Sequence, residues 1–482
     1  MIFQSTVYPN VIPVNGILQQ YLVSGGAISA GDFVQFADAV ATGTKTLIGV
    51  EPALAVQLNE TDVLVISART NYVINAVVVR FSGQSVSIGG ITAIASGTSS
   101  KVYEAKSAAV LSPMQVVVGL GKTVSSGVSS NMGLFAEAVL LSVSGLDITA
   151  SEPATLSKIT YNENGEVGDV NVIALSETSG IALYGFNNGS GVSSPCPNYA
   201  TAISLMDNTL SAGTPVSLTG SSSSGYGTSA ETSGVKISET TVVASASGFL
   251  ASGYVLNING TDVSIASSLQ IDTSSASDPS YVVDIGTNML LFVWRHASGT
   301  SLEIRAGYYN GGSVTLGKTT KITGQKSNAA ADGALKISDG IALVCCGGKA
   351  TIIEVNDDLS ITAGETVTLY TPTSTYGVAH VYACRISKTA VFFYGYASCP
   401  ARIEGLTIIP GTITTPASAD RLTAAHYSES AGTLRVFGGS SASNGFANTE
   451  TTMVQPYSNA AYGVASTGGA VGETIDVFLP KA

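Results

Sequence analysis

The amino-acid sequence predicts an all-β protein whose main part is a six-bladed β-propeller, with a seven-bladed propeller as the alternative. Charged residues make up 11% of the 482 residues, less than half of the usual ~25%, so long surface helices rich in Glu and Lys are not expected. Apolar residues occur in short bursts separated by the 53 glycines and by Ser and Thr. Hairpin-like units of two kinds alternate along the chain, each recurring about every 50 residues, which is typical of propellers.

The first kind of unit is interpreted as the inner hairpin of a blade. It consists of an apolar strand, a short turn of Ser with Glu, Asp, Lys or Thr, and a second apolar strand. Polar turn residues between two apolar runs favour a β-hairpin. Six copies cover residues 172–186, 235–248, 282–295, 335–348, 384–396 and 425–439.

The second kind of unit is interpreted as the outer hairpin. It has a strand, a tight turn such as Asn-Gly or Gly-Gly, and a second strand that often carries Ser-x-x-Ala-Gly. Six copies cover residues 135–157, 201–220, 254–271, 303–323, 351–371 and 402–423. Because the chain enters this array with an outer hairpin and leaves it with an inner one, we expect residues 135–157 to pair with 425–439 and close the ring. A seventh blade would need a further hairpin.

The segments on either side of the repeats do not follow the period. The sequence therefore predicts a separate N-terminal β-domain over residues 1–130, the propeller over 131–438 and a C-terminal β segment over 439–482. The Gly-Val pattern of the C-terminal segment is similar to one near the N-terminus. We expect the C-terminal segment to pack on the N-terminal domain, so that the propeller is an insertion displayed on a stalk.

Charge and hydropathy exclude several classes of protein. The net charge is −12 and the 21 cations are scattered, so no basic face for a nucleic acid is expected. No run of 18 apolar residues exists, so membrane insertion is not expected. Residues 1–10 lack the basic and apolar regions of a signal peptide, which favours synthesis in the cytoplasm without secretion by that pathway. Five irregularly spaced cysteines indicate buried free thiols rather than a disulfide framework.

The sequence predicts no enzyme, no catalytic residue, no metal site and no cofactor. The three histidines His296, His380 and His426 have no carboxylate at a spacing that would complete a zinc site, although His380 and His426 fall near inner strands of neighbouring repeats. A glycosidase would need paired carboxylates, whereas the acidic residues here lie mostly in turns.

Aromatic residues at the ends of the inner hairpins are the candidates for ligand binding. Rigid scaffolds carry binding residues on loops, and aromatic rings stack on sugars. Trp294, Arg295, His296 and Tyr396 are placed at such ends and are the predicted ligand-binding residues. The alternative is that these aromatic rings fill the gaps between blades.

Some repeats resemble propeller proteins that are encoded by tailed bacteriophages. The resemblance is carried by Val139-Leu-Leu-Ser-Val-Ser-Gly145, by Ala174-Leu-Ser-Glu-Thr178 and by Ile181-Ala-Leu-Tyr184. The segment Tyr462-Gly-Val-Ala-Ser-Thr-Gly-Gly-Ala-Val-Gly-Glu-Thr-Ile-Asp-Val477 resembles small β-modules of phage fibre and capsid-decoration proteins.

The resemblance implies a structural virion protein, a fibre or decoration subunit exposed on the particle. It implies partners among other copies of the chain and other virion proteins. Because the two termini share a pattern, we expect the N-terminal domain to serve attachment and oligomerisation. The aromatic residues at the ends of the inner hairpins lead us to expect contact with host cell-surface glycans. The alternatives are a carbohydrate-active enzyme or a sugar-binding propeller that is not part of a virion.

Overall fold

A computed structural model describes the backbone of residues 16–23, 33–42 and 45–480 with internal gaps. The gaps are 70, 83–84, 126–131, 162–164, 188–196, 219–230, 247–250, 273–276, 297–301, 323–330, 372–379, 412, 418–420, 429–432, 457–462 and 466–473. Every regular element in the described part is a β-strand, which confirms the all-β prediction.

The first four sheets follow three N-terminal strands, β1 (Gly16–Val23), β2 (Phe33–Thr42) and β3 (Thr46–Leu47). Blade 1 contains β4 (Pro52–Gln57), β5 (Asp62–Ser67), β6 (Val73–Ser82), β7 (Ser85–Ile88) and β8 (Thr92–Ser96). Blade 2 contains β9 (Lys101–Ser112), β10 (Gln115–Ser125), β11 (Met132–Ser144), β12 (Asp147–Ala150) and β13 (Ala154–Tyr161). Blade 3 contains β14 (Glu166–Ser176), β15 (Ser179–Asn187), β16 (Asn198–Met206), β17 (Thr209–Ala212) and β18 (Val216–Ser217). Blade 4 contains β19 (Thr232–Ser238), β20 (Thr241–Ala246), β21 (Ser252–Asn259) and β22 (Asp262–Gln270).

The remaining sheets continue in chain order. Blade 5 contains β23 (Ser277–Gly286), β24 (Met289–His296), β25 (Leu302–Tyr309) and β26 (Val314–Ile322). Blade 6 contains β27 (Ala331–Ser338), β28 (Ile341–Cys346), β29 (Lys349–Val355), β30 (Ile361–Ala363) and β31 (Val367–Thr368). Blade 7 contains β32 (Val381–Ser387), β33 (Ala390–Gly395), β34 (Cys399–Glu404) and β35 (Thr407–Pro410). Blade 8 begins with β36 (Leu422–Ser428), β37 (Thr433–Gly438) and β38 (Phe446–Pro456), and β39 (Gly463–Ala465) and β40 (Thr474–Pro480) follow it.

These sheets form a closed ring. The first strand of each blade contacts the first strand of the next blade, and β36 of blade 8 contacts β4 of blade 1. Each blade is an antiparallel sheet ordered outward from that inner strand. The β-propeller prediction is therefore confirmed, but the predicted number of six or seven blades is wrong, because the ring has eight.

The two additional blades use residues that were expected to lie outside the propeller, in the N-terminal domain and in the C-terminal segment. Residues 52–96 form blade 1, and β9 and β10 lie in the same sheet as β11. The domain boundary expected at residue 130 thus falls inside blade 2. Residues 135–157 belong with the hairpin β9–β10 and not with residues 425–439, so the expected closure of the ring is also wrong.

Blade 8 closes the ring by combining both ends of the chain. Its outer strand β38 pairs with β37 on one side and with β2 and β3 from the N-terminal segment on the other. Beyond the blade, β2 pairs with β39, β39 with β40, β40 with β1, and β1 returns to β38 in a parallel pairing. We call β1, β2, β38, β39 and β40 the terminal module, since their pairings form a closed cycle.

The repeated serines stabilise the turns of the inner hairpins. In each of four such turns the serine Oγ accepts a hydrogen bond from the backbone N–H two residues later, at 3.1 to 3.4 Å, and this bond holds the turn. These serines are Ser112, Ser176, Ser238 and Ser387. In blade 1, Asn59 has the same role, because its Oδ1 accepts from the N–H groups of Thr61 and Asp62 at 2.8 and 2.9 Å.

The core lies between the blades. Eight apolar clusters in the described part each combine side chains of two neighbouring blades, with one cluster at every blade junction. Because both faces of each sheet are covered, the strands are apolar runs rather than alternating patterns. Cys345, Cys346 and Cys399 are buried in these layers and form no disulfide among the described residues, Cys384 is half-buried, and Cys196 lies outside the described residues.

A recurring glycine lets neighbouring blades approach each other closely. In blades 1, 3, 5 and 6, a glycine in the outer part of the blade faces the backbone carbonyl of the last hairpin turn of the next blade. A Cβ atom added to it would lie 1.8 to 2.4 Å from that oxygen, which is shorter than any tolerated contact. The glycine and turn residues are Gly89 with Leu146, Gly213 with Thr261, Gly317 with Leu359 and Gly364 with Leu406.

Candidate functional site

The two faces of the ring differ in their connections. The first and second strands of each blade, and the third and fourth, are joined mainly by short turns on one face, which we call the turn face. The second strand of each blade ends, and its third strand begins, at the opposite face, where the chain also passes from one blade to the next; we call it the loop face. Binding residues are usually carried on loops above a rigid scaffold, so the loop face is the place to look for a site.

Trp294 does not lie on a loop. It is part of β24, its side chain is 0% exposed, and it packs in the cluster between blades 4 and 5 with Phe292 and Val255. The expectation of a loop position is wrong, because the apolar strand continues through this residue. The ring fills a gap between blades and is not accessible for stacking on a ligand. The side chains of Arg295 and His296, which end β24, lie outside the described residues.

Tyr396 lies on the loop face directly after β33 and is half-buried. Its ring is covered by the guanidinium of Arg421, whose central carbon lies 3.8 Å from the ring centroid. The ring of Tyr370 lies 5.4 Å from that of Tyr396, centroid to centroid, at an interplanar angle of 48°. Because Tyr370, Tyr396 and Arg421 come from the ends of blades 6, 7 and 8, this tyrosine–arginine stack crosses three blades.

The backbone at Gly395 places Tyr396 in the stack. Gly395 has φ +114°, a conformation that side chains disfavour, and a Cβ at this position would lie 2.5 Å from the carbonyl oxygen of His380. The N–H of Tyr396 then donates to that same oxygen at 3.0 Å. As a result the alternation of the strand is broken, and Tyr396 packs toward blade 6 while Tyr394 packs toward blade 8.

A second group of rings lies beside the stack on blade 7. The rings of His380 and Tyr382 stack at 6.0 Å with an interplanar angle of 13°, and Tyr382 lies 5.5 Å from its cross-strand partner Tyr394. Tyr382 is 36% exposed. Burial raises the pKa of Tyr394 well above its usual value, so its hydroxyl stays protonated.

The two histidines near the inner strands have different partners. His380 stacks on Tyr382, whereas Nε2 of the half-buried His426 donates to the carbonyl oxygen of Ala55 at 2.9 Å, across the junction between blades 8 and 1. No group of three or more His, Cys, Asp or Glu side chains among the described residues could hold a metal ion. Within the same residues, no helix is long and apolar enough to cross a membrane.

The site can therefore offer a partly exposed surface of tyrosine rings, one imidazole and one guanidinium. Such a surface suits a ligand that has flat or apolar faces edged by hydroxyl or acidic groups. Sequence reasoning found Tyr396 but missed Arg421 and Tyr370. Arg421 is one of few cations and lies near the end of the outer hairpin predicted over 402–423, close to the next inner hairpin, which is the signal that could have indicated it.

Comparison with known proteins identifies the fold. No family model matches the chain, and no curated protein matches it. Among solved structures, the C-terminal WD40 domain of Sif2 is similar with a TM-score of 0.53 and 13% identity, over 86% of this chain and 99% of that one. Sqt1 of Chaetomium thermophilum is similar with a TM-score of 0.50 and 11% identity, over 88% of this chain and 98% of that one. At these identities, the similarity shows the β-propeller fold and no function.

Proposed function

We propose that the chain is a non-enzymatic binding propeller on the particle of a tailed bacteriophage, a fibre or decoration subunit that attaches to host cell-surface glycans. The observation that carries the binding part of the proposal is the tyrosine–arginine stack on the loop face. Its side chains come from three blades, so a ligand there would contact a rigid surface rather than a single loop.

The chemistry of the stack favours a saccharide. The apolar faces of a sugar can stack on the tyrosine rings. The Tyr hydroxyls and the Arg421 guanidinium supply hydrogen bonds at the edges of the sugar. Nε of Arg421 is buried and has no hydrogen-bond partner among the described atoms, and the guanidinium stacks on the ring of Tyr396. The guanidinium can donate hydrogen bonds to a sugar hydroxyl or carboxylate.

The terminal module supports the virion part of the proposal. Strands from both ends of the chain pair in a closed cycle beyond the outer edge of blade 8, while blades 1 to 7 lie between them in sequence. An anchor of this kind holds the propeller at both ends and leaves the loop face available. We propose that the terminal module attaches the protein to other virion proteins and to further copies of itself.

Binding is tested with the purified protein on host cells. Tyr396→Ala should weaken adsorption by about 5- to 150-fold, by analogy with the ~1–3 kcal/mol that a stacked base contributes. Tyr308→Ala is the matched control, since Tyr308 is a 41% exposed tyrosine at the turn-face end of β25. Both variants should melt within a few degrees of the unchanged protein. Equal adsorption by the two variants would refute the site.

The virion part is tested by mass spectrometry of purified particles and by sedimentation of the protein. We expect the chain in particles and a mass that is a multiple of its 48.8 kDa. Finding the chain only in cell extracts would exclude the virion role and favour a cellular sugar-binding propeller. A monomer at all concentrations would exclude the proposed self-association.

A further inference from the structure

A row of lysines and aromatic rings crosses blade 2 at its loop-face end. Lys122 on β10 lies directly opposite Tyr103 on β9 and Phe135 on β11, and Phe135 lies directly opposite Lys158 on β13. Residues paired in this way project from the same face of a sheet. Tyr103 is part of the core between blades 1 and 2, so the row lies on the side of blade 2 that faces blade 1.

Each ammonium group of this row lies over the ring of Tyr103, of Phe135 or of both. Lys122 Nζ lies 4.3 Å from the ring centroid of Phe135 and 5.7 Å from that of Tyr103. Lys158 Nζ lies 5.1 Å from the Phe135 centroid, and Lys101 Nζ lies 5.0 Å from the Tyr103 centroid. We call Lys101, Lys122, Lys158, Tyr103 and Phe135 the lysine row.

One of these charges is neutralised by a buried carboxylate. Glu137 is 2% exposed, and its Oε1 accepts from Lys122 Nζ at 2.6 Å and from the Thr155 hydroxyl at 3.4 Å. This ion pair fixes Lys122 between the two rings. Neither Lys101 nor Lys158 has a carboxylate within ion-pair distance among the described residues, so the row keeps an excess of two positive charges.

A local excess of this kind is unusual in this chain. Acidic residues outnumber basic ones by 33 to 21, and like charges within about 10 Å repel each other at low ionic strength. The negative faces of the two rings offset part of that repulsion and fix where the ammonium groups sit. An anionic ligand would remove the rest of it. Lys158 is exposed and Phe135 half-buried, so a ligand can reach the row from solvent.

We propose that the lysine row binds the acidic groups, carboxylate or phosphate, of an anionic saccharide. Lys101 and Lys158 contact the anionic groups, Lys122 and Glu137 position the row, and Phe135 supplies an apolar wall for the sugar. This proposal rests on the proposed function, since it names the class of glycan. The row belongs to blade 2 and is separate from the tyrosine–arginine stack of blades 6 to 8.

The test measures binding of the purified full chain to polygalacturonate, phosphorylated mannan, neutral dextran and double-stranded DNA at low and at physiological ionic strength. We expect binding to one or both of the anionic saccharides, weakening with salt, and little binding to dextran. Polygalacturonate and phosphorylated mannan distinguish carboxylate from phosphate as the group that is bound. No binding to either saccharide, or equal binding of dextran, would overturn the proposal. DNA bound as tightly as the saccharides would replace it with a general polyanion surface.

The matched variants distinguish an effect of the lysine row on binding from an effect of net charge. Lys101→Gln with Lys158→Gln should weaken saccharide binding about tenfold or more, because two charge-assisted contacts are lost while the Lys122–Glu137 pair remains. Lys318→Gln with Lys388→Gln makes the same change of net charge at two exposed lysines elsewhere and should have little effect. Equal loss in both double variants would overturn the proposal. If host-cell adsorption still depends on Tyr396 when the lysine row binds no acidic saccharide, only the lysine row fails and the proposed function stands.

Discussion

Gly89 and Gly90 are neighbours in the chain, but an added methyl group should have opposite effects at the two positions. The Cβ of an alanine at position 89 would lie 2.1 Å from the carbonyl oxygen of Leu146 in blade 2, whereas nothing lies within 4 Å of the corresponding atom at position 90. Neither glycine adopts a left-handed backbone conformation. The two substitutions therefore differ only in the space that the methyl group meets.

The magnitude follows from that distance. Real Cβ contacts are essentially never under 3.0 Å, so the outer parts of blades 1 and 2 must separate by at least 0.9 Å, from 2.1 to 3.0 Å. A forced shift of this kind in a packed region costs ~1–3 kcal/mol. Replacing glycine by alanine also lowers the conformational entropy of the unfolded chain, which stabilises the folded protein by ~0.4–1 kcal/mol. Gly89→Ala should therefore lower the free energy of unfolding by ~1–2 kcal/mol, while Gly90→Ala should leave it equal or slightly higher.

Urea-induced unfolding of the two variants, followed by tyrosine fluorescence and circular dichroism, measures the difference. Gly364→Ala repeats the experiment at the junction of blades 6 and 7, where the oxygen of Leu406 lies 1.9 Å from the added atom. Equal midpoints for Gly89→Ala and Gly90→Ala would refute the inference that this glycine is required by the contact between blades.

Three further predictions concern Trp294, His426 and Asp62. Trp294→Ala should lower the free energy of unfolding by ~3–5 kcal/mol, because it leaves a cavity between blades 4 and 5. Adsorption per folded molecule should be unchanged. A stable variant that no longer adsorbs would instead indicate that Trp294 contacts the ligand. Burial, together with the positive charge of Arg435, holds the pKa of His426 in the folded protein below its usual value. As the pH decreases, the unfolded chain therefore binds the proton before the folded protein does. Below about pH 6.5 the free energy of unfolding should decrease by up to ~1.4 kcal/mol per pH unit. His426→Gln should abolish that fall in melting temperature and His380→Gln should not; an unchanged pH profile in His426→Gln would count against the assignment. Asp62→Asn should cost ~1–2 kcal/mol at neutral pH, because Arg80 binds both carboxylate oxygens at 2.7 and 2.8 Å but is itself partly exposed. The bonds to Arg80 lower the pKa of Asp62 in the folded protein, so this contribution begins to be lost below about pH 3.9, the usual pKa of an unfolded-chain Asp, and declines further as the pH falls. A difference in melting temperature that does not shrink in stronger acid would contradict it.

The hairpins that share one turn chemistry could be predicted from the sequence, and those with a different one could not. Copies with Ser and Thr or Asp in the turn stood out because the serine hydroxyl holds the turn. The turn of blade 1 uses Asn59, and that of blade 2 places Pro113 and Met114 after Ser112, so neither matched the repeat. The apolar residues before these turns, Leu58 and Leu111, nevertheless continue the spacing toward Leu175, and this period was the available signal.

The candidate sites depend on contacts between blades, which no local pattern records. Trp294 follows an apolar run that indicated a hairpin end, but the strand continues through it and buries the ring. Arg421 reaches Tyr396 from the next blade, and the lysine row assembles from four strands through register alone. Scattered cations in a sequence can therefore become neighbours once the sheet fixes which residues stand opposite each other.

The position of β38 in the chain also determines when the ring can close during synthesis. The strands β2 and β3 end before residue 48, and their partner β38 begins at Phe446, about 400 residues later. At ~5–20 residues per second, a ribosome needs roughly 20 to 80 s to synthesise that interval. During this time the early blades can fold, but β2 and β3 have no partner, and blade 1 lacks its neighbour on one side. Nascent chains therefore expose strand edges that invite pairing with other nascent chains, so slow or interrupted translation should favour aggregation over ring closure.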